Sequence, residues 1–271
     1  MKTLISLLLL ASAGSAFASE YKEIRELSLD AGSAELFDLD VTSGYLSIQG
    51  NSGIDQITVK ATIRVETGMT FDEDDAKEYL DKYLILKLEE RNDVAKLHVE
   101  FDHGNWSWGN RNGAVVDLDI QVPASLSMHI DDGSGWILVE GMSSDLTVDD
   151  GSGDLDIRGH SGKMHIDDGS GSINIANSHG GLSVDDGSGS VLIKDHQGDV
   201  YVEDGSGNID LENITGSVRI DDGSGSIFAD GISNDLIILD AGSGSVNVKN
   251  VSGEYINHDD RSHRRKNRDL M

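Results

Sequence analysis

Apolar and polar residues alternate along most of the chain, and from Met128 onward the alternation acquires a fixed period. Apolar pairs two residues apart occur at Met128/Ile130, Leu146/Val148, Met164/Ile166, Leu182/Val184, Val200/Val202 and Val218/Ile220. A second set follows at Ile137/Val139, Leu155/Ile157, Ile173/Ile175, Val191/Ile193, Ile209/Leu211 and Ile227/Ala229. Strict alternation over a few residues is the mark of a half-buried strand. Between the two sets lies Asp-Asp-Gly-Ser-Gly, starting at Asp131, Asp149, Asp167, Asp185 and Asp221, with Glu-Asp-Gly-Ser-Gly at Glu203; the period is 18 residues. A degenerate copy, Asp-Ala-Gly-Ser-Gly, begins at Asp240 after 19 residues.

This pattern predicts an all-β fold, a β-solenoid with 18-residue coils. Each coil has two short strands, stacks on its neighbours and is stable only because they cover it. One corner is Gly-Ser-Gly; the other is a loop such as Gly159-His160-Ser161-Gly162. Before residue 128 the chain is strand-rich but irregular, with alternation over Leu36 to Val41, Tyr45 to Ile48, Ile57 to Val65 and Val115 to Val122. Asp72 to Leu84 is the one credible helix, acidic in its first turn and carrying Ala76, Tyr79, Leu80 and Tyr83 on one stripe. It is expected to cap the stack, following degenerate early coils. The expected organisation is 1–18 a signal peptide, 19–127 the irregular part with its helix near 72–84, 128–256 the regular solenoid, and 257–271 a basic, disordered tail.

The run VDLDIQVPASLSMHIDDGSGWILVEG (Val116 to Gly141), followed by repeated L-x-V-x-x-G-S-G-x-I-x-I units, resembles the putative adhesin family, exported bacterial β-strand-repeat proteins of unknown function. The resemblance spans roughly Leu29 to Tyr255. It implies a β-solenoid at the cell envelope and brings no catalytic motif with it.

Charge and leader sequence narrow the setting. With 21 Lys+Arg against 49 Asp+Glu, the chain is a poor partner for nucleic acid, whose phosphates are bound through Lys and Arg. No cysteine is present, which excludes disulfides, thiol catalysis and thiolate metal sites. Lys2, the apolar Leu4 to Leu10 and Ala16-Phe17-Ala18 read as a secretory signal, so a periplasmic or secreted product is expected. No later stretch is apolar enough to span a membrane.

The repeats also stack charge. The first acid of each motif follows an inward residue and should point outward, giving a column of Asp131, Asp149, Asp167, Asp185, Glu203 and Asp221. At the strand spacing of ~4.8 Å each adjacent pair repels by roughly 0.9 kcal/mol in water and about 3.5 at an effective dielectric of 20. Between Asp131 and Asn250 there are 23 acids and only five bases, so cations, protons, screening or splayed rotamers must offset this repulsion. Calcium, which takes clustered oxygen ligands, is the candidate cofactor for the column, although neither an EF-hand loop nor the nine-residue β-roll pattern is present. The second acid (Asp132, Asp150, Asp168, Asp186, Asp204, Asp222) is expected to accept hydrogen bonds from the corner amides in an Asx-type turn.

Three further features carry candidate chemistry. Trp106, Trp108 and Trp136 could form ligand-stacking platforms or cover the junction before the first regular coil. Asp154, Asp156 and Arg158, near Glu140, resemble the face of a carbohydrate-active β-helix enzyme but also an ordinary solvated surface. The histidines do not converge and are expected on the surface, His160, His179 and His196 in second-corner loops. The basic tail, with Arg261, Arg264, Arg265, Lys266 and Arg268, could bind anionic envelope polymer or fold back on the acidic rod. Together these features indicate a non-enzymatic, adhesin-like binding or scaffolding module of the cell envelope, its partner a cell-surface glycan or envelope protein. A periplasmic cation-binding or stress-related role is the alternative.

Overall fold

A computed structural model of the chain describes residues 4–8, 20–68, 70–102 and 113–259. It is an all-β solenoid of about seven turns with coils of ~18 residues. Trp106, Trp108, the tail from residue 260 and most of the expected signal sequence lie outside the described residues. The chain divides after Ser144 into two compact units.

The second unit is the regular one. Strands Leu146–Asp150, Met164–Asp168, Leu182–Asp186, Val200–Asp204, Val218–Asp222, Leu236–Asp240 and Tyr255–Asn257 form one parallel sheet in that order. Strands Gly153–Arg158, Gly171–His179, Gly189–Gln197, Gly207–Thr215, Gly225–Ile232 and Val246–Val251 form the other. Each residue pairs with its equivalent one coil away, as in Met164↔Leu182 and Ile173↔Val191. Inward side chains such as Val148, Ile157, Ile166, Ile175, Val184 and Ile193 are fully buried between the sheets. The register slips by one residue after Ile220, where the longer last repeat is accommodated opposite Asp240.

A third, short face closes each coil. Asn177, Asp195 and Asn213 adopt left-handed backbone, with φ of 53°, 52° and 57°. Asn and Asp tolerate that region better than other residues. Beyond this bend the strand continues, pairing Ser178↔His196↔Ile214. The bend reverses the alternation and turns these side chains inward. This corrects the expectation for two histidines: His160 is 1% exposed and His196 fully buried.

The first unit mixes solenoid with antiparallel structure. Leu36–Val41 and Gly44–Asn51 form a complete early coil, in parallel register with Ser127–Asp132 and Gly135–Glu140. The rest departs from the expected degenerate coils. The strand Glu20–Asp30 pairs antiparallel with Gln56–Glu66, which pairs antiparallel with Val115–Pro123. At 11 residues each, the first two are longer than any strand of the regular coils, which reach nine, and they pair as an antiparallel ribbon. Leu4–Leu8 lies antiparallel along Glu20–Asp30. The helix is Glu73–Tyr83, capped by Asp72, whose carboxylate accepts from the amides of Asp74 and Asp75 while Asp75 returns a bond to the Asp72 amide. Its Ala76 and Leu80 are fully buried, and Tyr79 stacks on Phe101 at 5.9 Å between ring centroids.

The close coil stacking sets the Gly-Ser-Gly corner. Gly189 has φ of +154°, and a methyl group there would collide with the carbonyl oxygen of Gly171 in the coil beneath. Gly181, at the opposite corner, has open space around it. Gly189→Ala should therefore cost ~3 kcal/mol or more. Gly181→Ala should change stability by no more than about 0.5 kcal/mol. Urea melts of the two variants check the contrast.

Candidate binding faces

Stacking converts each position of the repeat into a column. Asp149, Asp167, Asp185 and Glu203 are exposed, and Asp221 is partly so, as alternation predicts. They stand in register, Asp149↔Asp167↔Asp185↔Glu203↔Asp221. Among the described residues no salt bridge reaches Asp167, Asp185 or Asp221, and Glu203 accepts a hydrogen bond from the Tyr201 hydroxyl at 3.1 Å. Partial burial, then the charges of Glu203 and Asp167, push the Asp185 carboxyl up. Among the described residues no group of three or more His, Asp or Glu side chains is arranged to hold a metal ion.

In the first unit the equivalent acids are relieved differently. Asp131 stands in register with Asp40. His98 Nδ1 lies 2.9 Å from Asp40, and Lys96 Nζ lies 3.5 Å from Asp40 and 3.2 Å from Asp38. His129 Nδ1 meets Asp38 at 3.0 Å. Burial opposes ionisation of Asp38, but hydrogen bonds from His129 and Lys96 outweigh it and hold the carboxyl below its usual range.

The second acid of each motif turns inward. Asp150, Asp168, Asp186, Asp204 and Asp222 are 4, 1, 1, 2 and 0% exposed. In four coils one oxygen accepts from the serine amide two residues on, at 2.9–3.1 Å, which is the expected Asx turn. The other oxygen of Asp150, Asp168, Asp186 and Asp204 is buried with no hydrogen-bond partner among the described residues. Equivalent oxygens one coil apart, at ~4.8 Å, are too far for a direct O–H···O bond. Burial first, then the neighbouring carboxyls, pushes Asp168 up to about 7 and Asp204 and Asp222 to about 6. Asp150 and Asp186 shift upward for the same leading reason. Burial and stacking therefore favour the protonated form of these acids relative to exposed ones.

The remaining candidates separate cleanly. Trp136 is 41% exposed and packs on Tyr45, its partner in register, with ring centroids 5.0 Å apart. Beside the pair, the Tyr45 amide donates to Asp117 at 3.1 Å, and Arg64 Nη2 lies 2.7 Å from the other Asp117 oxygen. Arg64 Nε is buried and makes no hydrogen bond among the described residues. Asp154 and Asp156 are tied into bonds between coils, to the Ser172 amide at 3.1 Å and the Asn174 side chain at 2.7 Å, and Arg158 pairs with Asp156. In the second corner, His196 Nε2 donates to the Gly180 carbonyl at 3.0 Å, and its Nδ1 accepts from the Ser178 hydroxyl at 2.9 Å. Burial pushes His160 down to about 4, so its ring is neutral.

No family model and no curated protein matches the chain. Among solved structures it is similar to a putative cell adhesion protein from Clostridium sporogenes, at 13% identity and a TM-score of 0.33 over 89% of this chain and 98% of that one. A putative adhesin from Bacteroides fragilis gives 13% and 0.38 over 86% and 96%. A putative lipid binding protein from Parabacteroides distasonis gives 14% and 0.34 over 87% and 96%. These likenesses fix no ligand; function lies with this chain's own side chains.

The inner carboxyls set an unusual pH dependence. Below the unfolded-state pKa of about 3.9 both states carry the proton, and these groups contribute nothing. Between there and the raised folded values the unfolded chain releases protons that the folded one keeps, so stability falls as pH rises toward 7. Asp168→Asn keeps the accepting oxygen and removes the charge. It should raise the melting temperature at pH 7.5, on the order of a few kcal/mol of stability, with little effect at pH 4. An equal effect at both pH values would show that the charge is not the cause.

Proposed function

We propose that the chain is an exported, non-enzymatic, adhesin-like binding or scaffolding module of the bacterial cell envelope that engages a cell-surface glycan. The observation that carries this reading is the exposed Trp136 packed on the half-buried Tyr45, with the Arg64–Asp117 ion pair beside them. Trp, Tyr and Arg are the residues that dominate binding interfaces, and this cluster offers all three. The rings supply an apolar face for a sugar's C–H groups, and the Arg–Asp pair supplies a donor and an acceptor for its hydroxyls. The repeated Gly-Ser-Gly serines belong to the corners, since a nucleophile is needed once and not in every coil.

Trp136→Ala should weaken binding to a glycan found by array screening at least tenfold, about 1.4 kcal/mol, and leave the melting temperature unchanged. Unaltered binding would remove the platform from the reading.

The outer acidic column favours a second reading, divalent-cation binding, with Asp149, Asp167, Asp185, Glu203 and Asp221 bridging an ion between neighbouring coils. After chelation, a calcium-selective rise in melting temperature of many degrees supports it. An equal small rise with magnesium or plain salt reduces the column to screened charge.

A further inference from the structure

The second unit carries a groove of about 810 Å³ that crosses six coils of the sheet beginning with Leu146–Asp150. Its floor is the first inward residue of each strand, Leu146, Met164, Leu182, Val200 and Val218, each 2–4% exposed. Above it runs one outward column in register: Thr147, His165, Ser183, Tyr201, Arg219 and Ile237. Two residues further along the first five of these strands stands the acidic column, the same chemistry in each; after Ile237 that place is taken by Leu239. The groove column differs in every coil, and five of its six members carry a hydroxyl, an imidazole or a guanidinium. On the other rim, Asp145, Asp199 and Asp235 are exposed, each anchored through one oxygen to a backbone amide of the next coil at 2.8–3.0 Å. Among the described residues no salt bridge involves Lys163 or Arg219, which also line the groove.

We propose that this groove is a binding site for a linear, uncharged glycan lying along the solenoid axis, with one subsite per coil. Three properties select that ligand. The strands of the floor spend their amides and carbonyls on the parallel ladder between coils, so an extended peptide finds no sheet edge to join. Acidic side chains on both flanks repel polyanions. Donors (Lys163, Arg219) and acceptors (Asp145, Asp199, Asp235) alternate with hydroxyls over an apolar floor, which complements a polymer bearing hydroxyls on its edges and C–H groups on its faces. Six strands at ~4.8 Å give a track about 24 Å long. This inference shares the ligand class of the function proposed above but uses other residues in the other unit, so each can fail alone.

The test is calorimetric titration of the full chain with β-linked neutral oligosaccharides (cello- and chito-oligosaccharides) of two to eight sugars. Binding should tighten at least tenfold from the disaccharide to the hexasaccharide and then level off. Tyr201→Ala and Arg219→Ala should each weaken hexasaccharide binding at least tenfold with the melting temperature unchanged. If Trp136→Ala abolishes oligosaccharide binding while Tyr201→Ala and Arg219→Ala do not, the platform is the site and the groove is not. Absence of binding by either series at millimolar concentration, affinity independent of chain length, or tighter binding of a lysine-rich peptide of equal length would each overturn the proposal.

Discussion

Everything in this molecule follows from placing each residue directly on its equivalent one coil away. Parallel in-register stacking aligns the apolar pairs into a continuous interior and saturates the backbone without long-range loops. The same alignment removes freedom at the corners. The carbonyl of Gly171 occupies the space that a Cβ at Gly189 would need, so the corner glycines are demanded by the neighbouring coil as much as by the turn itself. A repeat once selected for its corner is thereby copied with its corner acids attached.

Copying acids is costly, because stacking brings like charges to within one strand spacing. The chain meets this cost in three ways, according to where the carboxylate points. Asp38 and Asp40, in the early coil, have Lys96, His98 and His129 beside them. The outer column of the second unit faces water, which screens it. The inner column is buried, and there burial and the neighbouring carboxyls shift the balance toward the protonated acid. Its accepting oxygen still shapes the corner through the serine amide. A corner bond and a charge penalty are thus two consequences of one side chain, and they separate only when the acid is replaced by its amide.

The period and the alternation made most of the architecture legible, including the outward direction of Asp149 and its equivalents and the Asx turn of Asp150 and its equivalents. The third face was not legible, for a definite reason. A left-handed residue such as Asp195 breaks the parity of the alternation, so His196 points inward where counting by twos leaves it on the surface. The partnership of Trp136 with Tyr45 was hidden because the segment after the early coil separates the two strands in sequence. Its only trace is the corner remnant Thr42-Ser43-Gly44, aligned with Gly133-Ser134-Gly135. The upward shift of the inner carboxyls depends on burial, and no local motif records that.

A solenoid makes an internal comparison that a globular fold does not. Positions the fold needs recur from coil to coil: the inward aliphatics, the glycines and, in every motif but the last, where Ala241 replaces it, the inner acid. Positions it does not need can differ from coil to coil. In the sheet that begins with Leu146–Asp150, the acidic column repeats one chemistry, while two residues away Thr147, His165, Ser183, Tyr201 and Arg219 share a backbone environment and have no side chain in common. Uniform charge can set the sign of a surface and tune its long-range attraction, but it cannot tell one neutral ligand from another. Discrimination needs different donors and acceptors at defined intervals. The stack supplies the intervals, and the column that varies lies over the groove.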